Sequence, residues 1–212
     1  MKKKEIGILG LGSMGTAIAK HLKKKYKIYG YDIKKFNTLK SSKNFFFTKN
    51  LKEIFLKTNI FIVIVLDEDQ CQTIFDSFID IKKRLKIKKN YTIINCTTVS
   101  PNWVKKTYKK LQKNNFEYID CPVSGGPKKA INGKLSLMIS SKKNIYKKNL
   151  TLLRDIGSNI YNLGNKIGTG STVKIINNSL AGIQIISAAE AIILAKKEKI
   201  NLKKIFKIIN NS

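Results

Sequence analysis

Glu5-Ile6-Gly7-Ile8-Leu9-Gly10-Leu11-Gly12-Ser13-Met14-Gly15 follows a short basic lead at the start of the chain. Five residues suited to a buried strand run into three glycines spaced Gly10-x-Gly12-x-x-Gly15, and a helical pattern follows with Met14, Ile18 and Leu22 on one face. A second apolar run, Tyr26 to Tyr31, ends at Asp32, 17 residues beyond Gly15. That is close to the ~20 at which a carboxylate meets the ribose hydroxyls of a bound dinucleotide. A lone glycine triplet is a weak signal. Strand, glycine turn, helix and terminal acid together predict that Gly10, Leu11, Gly12, Ser13, Met14, Gly15 and Asp32 hold a dinucleotide. The first glycine permits a tight turn, the second lets the backbone approach the pyrophosphate, and the third allows close helix–strand packing. The helix N-terminus adds partial positive charge. Asp32 repels a 2′-phosphate, so NAD is expected over NADP, with the adjacent Lys34 and Lys35 softening the preference. The same residues imitate a secretory leader ending in Ala17-Ile18-Ala19, but Gly7, Gly10, Gly12 and Gly15 interrupt the apolar run and Glu5 sits in the basic region.

Further short buried runs follow at Asn59–Leu66, Tyr91–Cys96, Tyr118–Ile119 and Leu135–Ser140. Helix-compatible segments, including Asp69–Ile81 and Pro101–Asn114, separate most of them. Alternating strands and helices predict an α/β domain with a parallel sheet and right-handed crossovers. After Gly170 the pattern changes to an Ala/Ile-rich run from Ser171 to Lys199, with one interior glycine, Gly182. As a helix it would be on the order of 40 Å long. A shorter helix is expected over Leu202–Ile209. The predicted organisation is a Rossmann-type NAD-binding domain over residues 1–170, then over 171–212 an interdomain helix and the start of an all-helical C-terminal domain. A helix apolar all round needs cover on more than one side. The following residues supply little, so either a partner chain provides it or the chain lacks a piece.

Composition bounds the partners. A net charge of +29 invites a nucleic-acid reading, yet only Arg84 and Arg154 are arginine and the lysines spread from Lys2 to Lys207. Specific readout of bases leans on arginine forks, so no specific nucleic acid is expected. A Lys/Ile/Asn excess is what an AT-rich coding sequence produces. Cys71, Cys96 and Cys121 are odd in number and lack CxxC spacing, which favours a reducing cytosol over a disulfide framework or a zinc site. Asn59–Leu66 is too short to span a bilayer. Ser179–Ala195 carries Ser, Gln and Glu and is expected to be a buried helix, so a soluble cytoplasmic protein without a membrane partner is expected.

Two later motifs carry chemistry. Asp120-Cys-Pro-Val-Ser-Gly-Gly126 ends in adjacent glycines whose N–H groups can face an anion, although by spacing alone an ordinary strand-end turn accounts for it better. Gly168-x-Gly170-x-x-x-Lys174-x-x-Asn177-Asn178 opens the long helix, with Lys174 and Asn178 on one face. Apolar neighbours Val173, Ile175 and Ile176 and the positive helix end both lower a lysine pKa toward the range useful for proton transfer. His21, the sole histidine, is expected on the surface or end of the first helix, away from these motifs.

In order and spacing, these three motifs resemble those of the β-hydroxyacid dehydrogenases, the group that includes 3-hydroxyisobutyrate dehydrogenase, and the resemblance covers essentially the whole chain. Thr172-Val-Lys-Ile-Ile176, Leu180-Ala-Gly-Ile183 and Val65-Leu-Asp-Glu-Asp-Gln70 look most like the L-threonate dehydrogenases. The resemblance implies hydride transfer between NAD and the hydroxyl of a small hydroxy acid, with Lys174 as the catalytic proton-transfer group. It implies that Asn178 holds the substrate hydroxyl, that Ser124, Gly125 and Gly126 bind its carboxylate, and that Thr98 contacts the cofactor near the nicotinamide. Members of the family continue into a helical domain that covers the site, adds a second lysine and builds the dimer. A homo-oligomer through the long helix is therefore expected, and a chain ending at Ser212 is expected to be C-terminally truncated. Asn95 stands where an aspartate is common. The alternatives are a catalytically silent dinucleotide-binding protein and a basic nucleic-acid-binding module.

Overall fold

The structure, a computed structural model, describes residues 3–34 and 41–211. It divides into two compact units, Met1–Lys174 and Ile175–Ser212. Lys35, expected to modulate cofactor preference, lies outside the described residues.

In the first unit, β1 (Glu5–Leu9), β2 (Lys27–Tyr31), β3 (Phe45–Thr48), β4 (Ile60–Val63), β5 (Tyr91–Asn95) and β6 (Phe116–Asp120) form one parallel sheet. The strand order is β3-β2-β1-β4-β5-β6, so the chain leaves β1 toward one edge and returns to build the other. A crevice opens outside the carboxyl ends of the strands at such a reversal. The connecting helices are α1 (Ser13–Leu22), α2 (Leu51–Lys57), α3 (Glu68–Arg84) and α4 (Pro101–Lys113).

Both faces of the sheet are buried, and the two-residue strand period sorts side chains between them. Ile6, Ile8, Ile62, Ile94 and Ile119 join α1 residues Ile18 and Leu22 in one core. Leu9, Phe61, Val63, Ile93 and Tyr118 join α2, α3 and α4 in the other. The second core is aromatic: the Phe55 ring stacks on Tyr91 at 4.2 Å, and Phe61 tilts against Phe78 at 4.5 Å. A side chain at Gly7 would meet Phe61, so β1 leaves room for that ring. Helix ends follow local chemistry. Asp67 accepts from the Gln70 amide at 2.9 Å, and Ser100, ahead of Pro101, accepts from the Trp103 amide at 3.3 Å.

Beyond β6 the chain builds β7 (Val123–Ser124), α5 (Gly126–Ala130), β8 (Ser136–Ile139), α6 (Lys143–Ile156) and β9 (Asn159–Asn162). β7 runs antiparallel to β8, and β8 parallel to β9. The sequence did not mark β3, β7, β9, α2, α5 or α6. β7 has only two residues, and β9 is largely exposed, so it lacks a burial rhythm.

Helix α7 (Thr169–Lys197) runs from the first unit into the second, which also holds α8 (Leu202–Ile209). The expectation that Ser179–Ala195 is buried is corrected: Ile185 is 70% exposed and Ile193 66%. The physical reason is local. The apolar residues lie on all sides of a 29-residue helix, and eight-residue α8 is the other helix of that unit among the described residues. Among the described residues, α7 is also the one helix long and apolar enough to cross a membrane, a property shared by core helices of water-soluble proteins.

Cys71, Cys96 and Cys121 are buried and unpaired with one another. Burial pushes the Cys71 thiol up to about 12 and holds Cys121 well above the usual thiol range.

Candidate active site

The glycine turn meets the steric demands of its spacing. Gly10 adopts φ +93°, donates to the Tyr31 carbonyl at 2.9 Å, and has no room for a side chain beside the Ile64 carbonyl. A side chain at Gly15 would run into the Gly10 carbonyl, so the helix sits directly on the turn. Gly12 is different: a Cβ there would meet nothing within 4 Å. No side chain caps the α1 N-terminus, and Ser13 is exposed with Met14 half-buried behind it. The result is an open cradle of backbone N–H groups at a positive helix end, which fits a pyrophosphate.

Asp32 is tied to that cradle. Its Oδ2 accepts from the Leu11 amide at 2.7 Å and its Oδ1 from the Lys34 amide at 2.9 Å. Half-buried, the carboxylate keeps lone pairs that can accept from ribose hydroxyls. The Thr16 hydroxyl donates to the Leu11 carbonyl at 2.6 Å, closing the turn from beneath. These residues therefore fit a dinucleotide on their own geometry.

The loops after β4 and β5 are pinned at the same carboxyl edge. The Val65 amide donates to Thr97 Oγ1 at 3.0 Å, and the Ser100 amide donates to Glu68 Oε1 at 2.7 Å. Thr98 is exposed between these ties. Asn95 is fully buried in β5, where its Nδ2 donates to the Tyr118 hydroxyl at 3.0 Å.

After β6, Ser124 is half-buried, while Gly125 (φ +129°) and Gly126 (φ +70°) take backbone conformations that disfavour side chains. Gly126 has open space where a Cβ would stand. His21, expected to lie away from this motif, instead packs against the residues that follow it. Its Nδ1–H donates to the Ile131 carbonyl at 3.2 Å, and its ring lies against Gly133 (φ +65°). Because a carbonyl only accepts, Nδ1 carries the proton. The reason for the correction is tertiary: α5 and its following turn dock on the last turn of α1, a contact no local pattern reveals.

Asp120, the last residue of β6, is fully buried. Its Oδ1 accepts from the Ser171 hydroxyl at 2.7 Å. Its Oδ2 accepts from the Ser171 amide at 3.0 Å and the Ser140 hydroxyl at 2.9 Å. Burial pushes its carboxyl above the usual carboxylate range, and the hydrogen bonds pull partly back. Sequence reasoning quoted Asp120 but assigned no role to it, Ser140 or Ser171. The available signal was a lone acid ending an apolar strand. These bonds bring the start of α7 to the carboxyl edge of the sheet. Three residues on, Lys174 is buried, and desolvation lowers its pKa from the ordinary lysine value. Asn178, exposed and on the same helix, belongs to the second unit.

Comparison with known proteins agrees with this geometry. Residues 5–164 match the family model described as the NAD binding domain of 6-phosphogluconate dehydrogenase. Residues 168–212 match that described as NAD-binding of NADP-dependent 3-hydroxyisobutyrate dehydrogenase. The chain is 30% identical to mouse mitochondrial 3-hydroxyisobutyrate dehydrogenase over 99% of its own length and 62% of the mouse protein. It is 28% identical to L-threonate dehydrogenase of Haemophilus influenzae over 98% of its length and 69% of that protein. It thus spans less than two thirds of the first relative's length. A crystal structure titled 3-hydroxyisobutyrate dehydrogenase, from Salmonella typhimurium, superposes with TM-score 0.85 at 28% identity, covering 99% of this chain and 73% of that one. A Myxococcus stipitatus imine reductase variant in complex with NAD+ shares the fold with TM-score 0.86 at 17% identity, covering 99% of this chain and 71% of that one.

Proposed function

Since this chain belongs to the β-hydroxyacid dehydrogenase family, we propose that it is an NAD-dependent oxidoreductase acting on the hydroxyl of a small hydroxy acid of the L-threonate or 3-hydroxyisobutyrate type. The observation that carries this reading is a buried lysine, Lys174, on a helix whose first turn is bound to the end of β6. That is the edge of the sheet where the Gly12 cradle opens.

NAD, when bound, supplies the hydride acceptor. The cradle from Gly10 to Gly15 holds its pyrophosphate, Asp32 accepts from its ribose hydroxyls, and Thr98 lines the nicotinamide end. Asp32 would face a 2′-phosphate with like charge, which supports NAD over NADP. The Ser124–Gly126 turn binds the substrate carboxylate through backbone N–H groups and the Ser124 hydroxyl; the role of Asn178 toward the substrate hydroxyl rests on the family resemblance alone. Lys174 Nζ, whose pKa burial lowers from the ordinary lysine value, takes the hydroxyl proton in its neutral form as the carbon loses its hydride. In the reducing direction it returns that proton. The apolar surface of α7 supports a homo-oligomer formed through that helix, and three unpaired thiols support a cytoplasmic location.

The test is NADH formation by the purified chain with L-threonate, 3-hydroxyisobutyrate and glycerate, with Lys174→Ala as control. Turnover on one acid, reduced about 10²- to 10⁴-fold in the variant, is the expected result. NAD binding without turnover on any acid would leave a dinucleotide-binding protein and overturn the enzymatic reading.

A further inference from the structure

We propose that Asp120 is the positioning residue for Lys174: it grips the first turn of α7 through Ser171 and Ser140 and thereby fixes where the proton-transfer side chain stands. This rests on the reading of Lys174 as the proton-transfer group.

The first turn of a helix presents N–H groups without intrahelical partners. In α7 two of them are met from the sheet rather than from the helix's own sequence. The Gly170 amide donates to Ser140 Oγ at 3.2 Å, and the Ser171 amide to Asp120 Oδ2 at 3.0 Å. The Ser140 hydroxyl in turn donates to Asp120 Oδ2 at 2.9 Å, and the Ser171 hydroxyl donates to Oδ1 at 2.7 Å. The two carboxylate oxygens thus hold one residue of α7 by both its backbone and its side chain. A single hydrogen bond lets a helix pivot, whereas this paired grip fixes its advance and its rotation together.

Backbone approach confirms how closely the turn is seated. A Cβ on Gly170 would stand 3.0 Å from Asp120 Oδ2 and 3.2 Å from the Asp120 carbonyl, and would meet the Met138 carbonyl. β6 and β8 are joined at the same place, with the Ser140 amide donating to the Asp120 carbonyl at 2.9 Å and the Asp120 amide donating to the Ser140 carbonyl at 3.1 Å. Lys174 follows Ser171 by three residues and so shares its helix face. Displacing Ser171 displaces the root of the lysine by a similar amount.

The placement is costly without such a purpose. Asp120, Ser140 and Ser171 have no exposure, and among the described residues no ion pair reaches Asp120. A buried carboxylate left to hydrogen bonds and a helix end carries a desolvation penalty that a neutral cap would avoid. What the carboxylate offers over a neutral cap is two acceptors at a fixed separation.

The test uses the full chain with Asp120→Ala, Asp120→Asn, Ser171→Ala and Lys174→Ala. Trace acetylation, read by mass spectrometry as the ratio of Lys174 to exposed Lys109, reports the lysine's setting without needing turnover. Asp120→Ala is expected to raise that ratio several-fold and lower kcat about 10- to 100-fold, while KM and NAD affinity stay within about twofold. An asparagine keeps one acceptor for the Ser171 amide and can donate to the Ser171 hydroxyl, so Asp120→Asn is expected to recover part of both effects. Ser171→Ala moves both readouts the same way by less, and serves where Asp120→Ala does not fold. A folded Asp120→Ala with wild-type labelling overturns the proposal. So does a Ser171→Ala with unchanged labelling and kcat. If Lys174→Ala turns over like wild type, the proton-transfer reading falls and the catalytic part of this proposal with it. The labelling ratio still reports separately whether Asp120 holds the helix.

Discussion

The Leu11 amide and the Asp32 carboxylate meet at 2.7 Å, so the glycine turn after β1 and the acid after β2 form one preassembled surface. The carboxylate reaches its binding position through a contact inside the protein. Cofactor binding then need not pay to order it.

Asp32→Ala removes this tie and, in the function proposed above, the ribose acceptor. We expect the NAD Kd, followed by protein fluorescence, to rise about 10- to 100-fold, the worth of one or two hydrogen bonds to a charged group. Discrimination against NADP should fall at the same time. An unchanged ratio of NAD to NADP affinity would remove Asp32 from the account of cofactor choice.

Gly12 and Gly15 should respond in opposite ways to the same methyl group. At Gly12 the Cβ meets nothing within 4 Å, so Gly12→Ala should keep its melting temperature and lose NAD affinity. At Gly15 the Cβ is driven into the Gly10 carbonyl, so Gly15→Ala should lose about 1–3 kcal/mol of stability. Paired thermal melts and NAD titrations separate the two.

The proton-transfer role proposed for Lys174 predicts a pH dependence of definite sign. Burial lowers its pKa below 10.5, and the neutral amine is the form that accepts a proton. The kcat/KM for hydroxy-acid oxidation should therefore climb with pH to a plateau reached through an inflection below 10.5, a limb that Lys174→Ala flattens. Stability carries the same signature. Between the lowered folded value and the unfolded one, the unfolded chain binds more protons, so stability rises with pH across that window. Lys174→Met should abolish that rise in denaturant melts.

Asp155 provides a structural control far from this chemistry. Burial works upward on its carboxyl, but hydrogen bonds from Lys25 and Tyr26 outweigh it and hold the pKa below the usual range. The Tyr26 hydroxyl donates to Asp155 Oδ2 at 2.6 Å, while Lys25 is 67% exposed and contributes little. The stabilisation is present above the unfolded carboxylate value and lost as pH falls through the folded one. Asp155→Asn should cost about 1–2 kcal/mol at neutral pH, with wild type and variant converging in acid.

Local pattern carried much of this fold. Residues Glu5 to Leu9 announce β1 because both faces of the strand are buried, and the polar, helix-compatible segments Asp69–Ile81 and Pro101–Asn114 announce α3 and α4. The glycine turn was legible because its spacing is local and Gly15 answers to the Gly10 carbonyl within it, although the carbonyl that crowds Gly10 comes from Ile64. What escaped depends on distant partners. Ser171 lies 51 residues from Asp120, and His21 lies 110 residues from Ile131. Nothing within a helical or strand period of either residue signals the contact. The exposure of α7 escaped for the reverse reason: apolar periodicity states what a helix needs, not what stands beside it.

The three buried thiols make the first unit its own clock. Cys71, Cys96 and Cys121 all lie in it, and it is the thiolate that attacks an alkylating reagent. With Cys71 and Cys121 held in the protonated form by burial, the folded chain should stay silent to iodoacetamide, and labelling should advance only as the unit opens. The rate at which mass increments accumulate then measures opening without any introduced probe, and a bound dinucleotide should slow it in proportion to its occupancy.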